Sequence, residues 1–291
     1  MRSLLPIFTV VAAIFVIWYG AAVALNTPWA KDQAKRNNVE LSFTELVADT
    51  WSQKKPKLPA PHQVVAEIWK TTGEMVAKGR AFSKRSLIYH SWITLSATML
   101  GFVMGTGFGI LLAIGIVYNR VMDMSVMPWV IASQTIPILA VAPMIIVVLN
   151  AVGISGLLPK AMISMYLSFF PVVVGMVKGL RSPDQMQLDQ MRTWNATSGQ
   201  EFWRLRLPSS MPFLFASLKV AMAASLVGAI VGELPTGAVA GLGARLLAGS
   251  YYGQTIQIWS ALIMAAALAA ALVALIGLIQ RMTLKKMGMA Q

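Results

Sequence analysis

The sequence contains no cysteine and only a small share of charged residues. Without cysteine the chain cannot form disulfides, thiolate zinc sites or a cysteine nucleophile. Charged residues make up 12% of the chain, against about 25% in a soluble domain, and hydrophobic residues make up 57%. The apolar residues fall in blocks of roughly 20, which is long enough to cross a bilayer. The composition therefore excludes an ordinary soluble protein and predicts an all-α membrane protein with about six transmembrane helices.

The formal net charge of +13 allows two interpretations. A basic chain can bind nucleic acid, or its Lys and Arg residues can set the orientation of membrane helices. Here the basic residues lie between the apolar blocks. We therefore interpret the charge as a topology signal and expect contact with membrane lipid and no nucleic-acid partner.

Residues 4–25 form the first apolar block, which is either a cleaved signal peptide or a retained helix. Ala22-Val23-Ala24 resembles a signal-peptidase site. The apolar core of a signal peptide, however, spans about 7–15 residues, and this block is longer and contains Trp18 and Tyr19. We therefore expect an uncleaved N-terminal transmembrane helix within residues 1–25.

The segment 26–86 is polar and contains several prolines, so we expect it to lie outside the membrane. Apolar residues at helical spacing predict a short amphipathic helix at 61–79. This helix either lies on the membrane surface or packs on the protein's own core. A transmembrane core at 87–280 and a short tail at 281–291 follow. The spans expected in the core are 90–118, 126–149, 157–177, 210–232 and 256–280.

The short loops differ sharply in their content of Lys and Arg, which tends to be higher on the cytoplasmic side. The other side has only Lys160 and Arg245 in its short loops. The longer segment 26–86 carries eleven basic residues, but segments of about 60 residues cross the membrane largely regardless of charge. We therefore expect both termini and the loop 178–208 to face the cytoplasm. The basic residues of that side are Arg2, Arg120, Lys178, Arg181, Arg192, Arg204, Arg206, Arg281, Lys285 and Lys286.

Small residues recur every four positions on the second expected span. They are Gly101, Gly105, Gly109 and Ala113. Such a ridge lets another helix approach closely, so it predicts tight packing and no chemistry. Pro137, Pro143 and Pro171 lie inside the third and fourth expected spans, where prolines free backbone carbonyls and bend helices.

The polar stretch 178–208 interrupts a chain that otherwise has short loops on this side. Asp184 and Asp189 lie early in it and Arg204 and Arg206 lie late, an order that suits helix dipoles. Asn195 can take the left-handed conformation that ends a helix, and Pro208 can open the next one. The stretch is therefore predicted to form two short helices joined by a turn, which is a docking surface for a cytoplasmic partner.

The same stretch resembles the EAA loop of the permease subunits of ABC importers. That pattern is Glu-Ala-Ala, three residues, Gly, nine residues, then Ile-x-Leu-Pro. Asp189 stands at its Glu, Asn195 at its Gly and Leu205 at its Ile, whereas Gln190 and Met191 replace the two alanines. The resemblance implies that Asp189 supplies a charge near a helix N-terminus or to a basic group on the partner. The implied ATPase-coupling residues are Asp189, Arg192, Asn195, Glu201, Leu205, Leu207 and Pro208.

Further landmarks within 58–280 resemble the nitrate/sulfonate/taurine-type permeases. They are Pro59-Ala60-Pro61, Gln134-Thr135-Ile136-Pro137, Phe170-Pro171 and Val227–Glu233. This resemblance implies a type I ABC importer permease fold in the bacterial inner membrane, with the segment 26–86 in the periplasm. It also implies a homodimer, a cytoplasmic ABC ATPase dimer and a periplasmic solute-binding protein as partners.

ATP chemistry is not expected in this chain. Gly105-Thr106-Gly107-Phe108-Gly109 is glycine-rich but lacks the Lys-Ser/Thr of a phosphate-binding loop and lies in an expected membrane helix. We therefore expect no cofactor and no enzymatic activity here, with ATP and Mg bound by a separate ATPase subunit. No metal site is predicted either, because His62 and His90 are isolated in the sequence.

A few polar residues fall within the expected spans. Ser133, Gln134 and Thr135 either line the translocation path or form hydrogen bonds between helices. Glu233 either lines the path or caps the glycine-rich stretch that follows it. Lys219 is expected to extend toward the nearby membrane surface.

Two other classes of function are open to a chain of this composition. An ATP-independent secondary carrier would show inverted repeats or several buried charges, and a membrane enzyme would need clustered titratable residues; the sequence shows neither feature. The family resemblance implies a small organic or oxyanion solute such as a sulfonate, nitrate or a pyrimidine-like compound. The stretch 243–253 differs from typical sulfonate permeases, which favours the pyrimidine-like solute.

Overall fold

The structure, a computed structural model, describes residues 4–38, 40–235 and 240–289. Arg2, Gly237 and the end of the tail lie outside these ranges. The described ranges are largely helical and contain no strand. In chain order the helices are α1 (Leu4–Arg36), α2 (Phe43–Ser52), α3 (Pro61–Thr71), α4 (Gly73–Ala77), α5 (Leu87–Tyr118), α6 (Arg120–Ala132), α7 (Ile138–Ala151), α8 (Leu157–Leu180), α9 (Gln185–Thr193), α10 (Ser198–Glu201), α11 (Leu207–Glu233), α12 (Leu242–Tyr251) and α13 (Thr255–Lys286).

Five helices are long and apolar enough to cross a membrane, namely α1, α5, α8, the helix that ends in α11, and α13. A sixth span is formed if the bent pair Arg120–Thr135 and Ile138–Ala151 crosses together. The prediction of an all-α membrane protein with about six spans is confirmed.

The third span is broken, whereas we expected one continuous helix at 126–149. A short 3-10 turn, Ser133–Thr135, follows α6, and the two halves of the pair meet at 103°. Pro137 lacks an N–H to continue the helix. A residue before proline is also disfavoured in the helical region, and Ile136 is extended at φ −84° and ψ 119°. The chain therefore stops before Pro137 and restarts at Ile138.

Residues Met1–Ser91 and Ala244–Ala265 form one compact unit. Its buried hub is Asn26, which has no exposed surface. The Asn26 Nδ2 donates to the carbonyls of Thr50 (3.1 Å) and Leu58 (2.9 Å), and its Oδ1 accepts from the amides of Lys57 (2.8 Å) and Leu58 (3.2 Å). One side chain thus satisfies four backbone groups and ties α1 to the segment 50–58.

The expected amphipathic helix at 61–79 is two helices, α3 and α4, separated at Thr72. Val64 and Thr71 on α3 are buried, whereas Val65 and Trp69 are 64% and 66% exposed. The helix therefore packs on the protein with one face, as one of the two alternatives predicted. A second apolar face remains exposed.

Residues Trp92–Gly243 and Ala266–Gln291 form the other unit, which centres on α8 and α11. Ser164 of α8 lies between two glycines, Gly101 of α5 and Gly228 of α11, each so close that an added Cβ would overlap its atoms. Its hydroxyl donates to the carbonyl of Ser225 on α11. The Ser225 hydroxyl in turn donates to the carbonyl of Thr98 on α5, at 2.8 Å. Hydrogen bonds therefore join three helices at one point of close approach.

The predicted small-residue ridge on α5 is the face that packs against α8. Gly105 lies against Ser168 and Gly109 against Val172. Ala113 is fully buried in the apolar cluster below. Close packing of this ridge, as the four-residue spacing predicted, is what the structure shows.

We predict that Gly101→Ala destabilises the protein by about 1–3 kcal/mol. The added methyl group would lie 2.6 Å from the carbonyl oxygen of Ala161, a backbone atom that cannot turn aside. Gly107→Ala on the same helix is the control, because nothing lies within 4 Å of its added Cβ. Thermal unfolding in detergent should separate the two variants, and equal melting temperatures would contradict the packing described above.

Candidate functional site

Helix α9 is bounded by two local devices. At its start the Asp184 Oδ1 accepts from the amide of Gln187 at 2.9 Å, which caps the helix. At its end Asn195 takes the left-handed conformation, with φ +51°, and the amide of Ala196 donates to the carbonyl of Met191 at 3.0 Å. The structure thus places at Asn195 the conformation that we expected there.

The second half of the stretch differs from the expectation of a separate short helix. Residues Ser198–Glu233 form one helix of 36 residues that continues into the membrane-spanning part. Phe202–Arg206 form a π turn in which the amide of Leu207 donates to the carbonyl of Phe202. This wider turn, of the kind that marks an inserted residue in a helix, immediately precedes Pro208. The helix therefore continues through the proline instead of starting at it.

A cleft of about 410 Å³ lies between α9 and the start of this long helix. Its α9 side is formed at helical spacing by Gln187, Gln190, Met191 and Trp194. Arg204 and Leu205 line the opposite side. The indole of Trp194, which lines the cleft, is 67% exposed. An exposed aromatic group in a cleft lined by both polar and apolar residues is typical of a protein-docking surface.

Asp189 lies on a different face of α9 from the cleft. Its Oδ1 accepts from the Gln185 Nε2 at 3.0 Å and pairs with the Arg192 Nη1 at 3.1 Å. Both members of the pair are largely exposed. Asp189 is in the second turn of α9, so the charge at the helix N-terminus belongs to Asp184 and not to Asp189. Of the two roles implied for Asp189, a charge at the helix N-terminus does not fit this position, and the interaction with a partner stays a prediction.

Glu201 faces inward and takes part in an attachment that we did not predict from the sequence. Its carboxylate accepts from the Arg206 Nε at 2.5 Å, and the two side chains are only 22% and 18% exposed. The Arg206 Nη1 also donates to the carbonyl of Leu180, the last residue of α8, at 2.9 Å. A cation at that end suits the helix dipole. The guanidinium lies 5.9 Å from the ring of Tyr118, the last residue of α5.

We name Tyr118, Leu180, Glu201 and Arg206 the anchor cluster. It fixes the long helix to the ends of α5 and α8 within the same unit. Leu207 packs against the apolar cluster beside it. The signal for this pair in the sequence was an acidic and a basic residue five positions apart. Residues at this spacing lie on different faces of a regular α-helix, but a π turn brings them to the same face.

The polar residues of the third span occupy the break between α6 and α7. The Ser133 hydroxyl donates to the carbonyl of Val130 at 2.7 Å, and the Thr135 hydroxyl donates to that of Ala132 at 2.8 Å. Tyr166 of α8 donates to the carbonyl of Ser133. Gln134 is exposed, and its Nε2 reaches only the neighbouring Ser133 hydroxyl at 3.4 Å. Its amide is thus exposed and has only this one long contact.

Glu233 is fully buried at the end of α11. Its carboxylate accepts from the Thr94 hydroxyl at 2.9 Å and 3.1 Å and from the amide of Gly243 at 2.8 Å. The amide of Leu242 donates to the Thr94 hydroxyl at 2.9 Å. Gly241 has φ +125°, and any Cβ there would overlap the carboxylate. Glu233 thus caps the first turn of α12, which was one of the two roles considered for it.

The two histidines lie at separate places in the first unit. His62 contacts Tyr19 at 3.2 Å and the carbonyl of Trp51 at 3.1 Å. His90 bonds the carbonyl of Lys84 at 3.0 Å. Across the ranges that the structure describes, no three His, Asp or Glu side chains group as metal ligands.

Residues 105–288 match the family of binding-protein-dependent transport system inner membrane components. The chain belongs to this family. It is therefore related to ABC transporter permeases and has their type I fold, as the resemblance of its loop 188–208 implied. The matched residues contain the cleft, the anchor cluster, the polar turn and Glu233.

Several proteins named as permeases are similar to the chain. The formylaminopyrimidine transport permease protein ThiX of Halalkalibacterium halodurans is 32% identical over 170 residues, which are 58% of this chain and 66% of that protein. The riboflavin transport system permease protein RibX of Chloroflexus aurantiacus is 29% identical over 228 residues, which are 78% and 80%. A putative aliphatic sulfonates transport permease protein, SsuC of Bacillus subtilis, is 24% identical over 228 residues, which are 78% and 77%.

The match to ThiX, and that to a probable ABC transporter permease of Haemophilus influenzae, span 66% and 64% of those relatives' own length. The relatives are named as permease components and not as enzymes. Together with the helices of this chain, they make it a multi-spanning member of a family of inner-membrane permeases.

We predict that Asn195→Val loosens the end of α9, whereas Asn195→Gly does not. A β-branched residue at φ +51° is strained by about 1–3 kcal/mol, but glycine reaches this conformation freely. Amide hydrogen exchange over 191–197 should accelerate about tenfold in the valine variant, since about 1.4 kcal/mol corresponds to a factor of ten. Equal exchange in both variants would show that the turn does not depend on residue 195.

Proposed function

We propose that this chain is the membrane-spanning subunit of an ATP-driven importer, which moves a small solute across the inner membrane by alternating access. The observation that carries the proposal is the unbroken helix Ser198–Glu233, which lines the docking cleft at one end and forms a membrane span at the other. A helix is stiff along its axis, because its backbone hydrogen bonds close every turn. Displacement of the cleft is therefore carried directly into the membrane core.

The anchor cluster extends this coupling to two further spans. Arg206 holds the carbonyl at the end of α8 and contacts the ring at the end of α5. Its ion pair with Glu201 is largely shielded from water, so salt screens it less than an exposed pair. A partner that moves the cleft would then move α5, α8 and α11 together.

The partner proposed for the cleft is a cytoplasmic ABC ATPase subunit, which binds ATP and Mg. We propose that two copies of this chain dock one ATPase each and that a periplasmic binding protein delivers the solute. The anchor cluster joins the ends of α5 and α8 to the start of α11. This supports a position on the same side of the membrane for the loops that adjoin these three helix ends. Ile276, in the last third of α13, shares a buried apolar cluster with Phe215, in the first third of α11, which supports the same side for the C-terminus. The Lys and Arg content of these loops assigns that side to the cytoplasm.

The solute that we propose is a small heterocyclic compound of the pyrimidine type. Two of the more similar relatives, at 32% and 29% identity, are named for formylaminopyrimidine and riboflavin. Relatives named for aliphatic sulfonates and nitrate are 24% identical. The exposed Gln134 amide can both donate and accept hydrogen bonds, as a pyrimidine ring with its amino group requires.

The docking surface can be tested by charge reversal. We predict that Asp189→Lys prevents the chain from retaining the ABC ATPase that co-purifies with the unmodified protein, because misplaced like charges at an interface cost several kcal/mol. The variant should insert normally, since Asp189 is exposed and bonded only within α9. Glu40→Lys makes the same charge change at an exposed residue of the segment 26–86 and should retain the ATPase.

Arg206→Ala in the same experiment separates docking from coupling. This change leaves the cleft-lining residues in place, so the chain should retain the ATPase, and the ATPase should still hydrolyse ATP. Uptake should fall, by about tenfold for each 1.4 kcal/mol of coupling free energy that is lost. Full ATPase retention by Asp189→Lys would exclude the exposed face of α9 that carries Asp189 from the docking surface. Uptake that persists after ATP depletion would instead indicate a secondary carrier.

Gln134→Leu tests the translocation path. The leucine removes the free amide, so uptake of a labelled pyrimidine should change while ATPase retention and the melting temperature do not. Gln280→Leu on α13 is the matched control and should leave uptake unaltered. A drop in stability of about 1 kcal/mol without a change in uptake would assign Gln134 to helix packing. Uptake of taurine in place of the pyrimidine would overturn the proposed solute class.

A further inference from the structure

A cluster of basic side chains lies between α4 and α5, outside the regions assigned to transport. Arg80, Lys84 and Arg85 are exposed and line one cleft of about 590 Å³ together with Met75 and Ser83. This cleft belongs entirely to the first unit. Neither the family match, which begins at residue 105, nor the coupling surface includes it.

The charge of this cluster is not neutralised by the protein. The nearest acidic residue on the preceding helix, Glu74, is paired with Lys78 at 2.8 Å. The hydrogen bond from Lys78 holds the pKa of Glu74 below its ordinary value, so Glu74 stays ionised and engaged with Lys78. Within the described residues, no carboxylate forms an ion pair with Arg80, Lys84 or Arg85.

The loop that carries the cluster is held in place by buried groups. His90, which is only 2% exposed, bonds the carbonyl of Lys84 at 3.0 Å. The amide of Ser83 donates to the carbonyl of Arg80 at 3.0 Å, and the amide of Ser86 donates to that of Ser83 at 2.9 Å. Ser86 is fully buried and accepts from the amide of Ile88 at 3.2 Å. Successive turns therefore fix the backbone from which the three basic side chains project.

The cluster also lies at the edge of a membrane span. The span Leu87–Tyr118 begins directly after Arg85 and Ser86, so Lys84 and Arg85 are within one helical turn of the apolar region. Phe82, between Arg80 and Lys84, is 67% exposed, and Val76 is 55% exposed. Exposed apolar groups beside Lys and Arg are typical of a segment at the lipid–water interface.

We propose that this cleft binds the phosphate of an anionic phospholipid headgroup, with Phe82 against the adjoining acyl chains. Guanidinium groups bind phosphate oxygens through paired hydrogen bonds, and the cleft offers two of them with one ammonium group. A soluble acidic partner would satisfy the charges but would give no reason for Phe82 to be exposed where a membrane span begins. The lipid would fix the depth of α5 in the bilayer, and this role does not depend on the proposed transport function.

The test compares two triple variants of the full chain, purified in detergent, for binding of phosphatidylglycerol and phosphatidylcholine by native mass spectrometry. In one variant Arg80, Lys84 and Arg85 become Gln; in the other Lys54, Lys55 and Lys57, exposed residues of the same segment, become Gln. Both remove three positive charges. Because each basic residue near an anionic surface strengthens binding about fivefold, the first variant should bind phosphatidylglycerol at least about tenfold more weakly, and the second should bind it like the unmodified chain.

Three results would overturn the proposal. An equal loss in both variants would mean that only the net charge attracts the lipid. Displacement of phosphatidylglycerol by inorganic phosphate would assign the cleft to a free anion. Unchanged lipid binding by the first variant, with a melting temperature like that of the unmodified chain, would exclude the cleft as a lipid site.

Discussion

The close approach of α5, α8 and α11 at Ser164 is the constraint on which the rest of the second unit depends. Lipid tails are as apolar as leucine side chains, so helices in a membrane gain little from apolar contact alone and associate through small residues and hydrogen bonds. Gly101 and Gly228 allow both neighbours to reach the backbone of α8 at this point. Because α11 continues from the docking cleft, whatever moves the cleft acts on a helix that is already locked to two others.

Structure could be predicted from the sequence where a residue pattern favours one local structure. Glycines every four positions favour close packing of two helices, and the ridge on α5 does pack on α8. Asparagine between two polar helical segments favours a left-handed turn, and Asn195 has φ +51°. The apolar blocks likewise predicted the membrane spans, because a run of roughly 20 apolar residues is stable in few environments other than a bilayer. These features are local, so they could be predicted without knowing the partners of each residue.

The features that sequence reasoning missed depend on pairing across distance or on competition between local signals. Pro208 suggested a helix start, but the π turn before it lets the helix continue, and only the backbone geometry shows which outcome prevails. Asn26 carried no signal in the sequence that set it apart from other polar residues. Its role as a hub appears only when residues 50 and 57–58 fold back to meet it. The prolines of the third span indicated a bend, but a proline does not by itself specify an angle as large as 103°.

The two ion pairs within residues 188–208 differ in their exposure to solvent. The Asp189–Arg192 pair is exposed and lies within one helix, where such a pair contributes a few tenths of a kcal/mol. It is therefore poorly suited to hold structure, and its charges are accessible to a partner. The Glu201–Arg206 pair is mostly shielded, and Arg206 is shared with the carbonyl at the end of α8, so losing Arg206 removes the attachment of the long helix to α8. One motif thus contains an outer pair that can exchange partners and an inner pair that cannot. The docking role that we propose for this surface requires both properties.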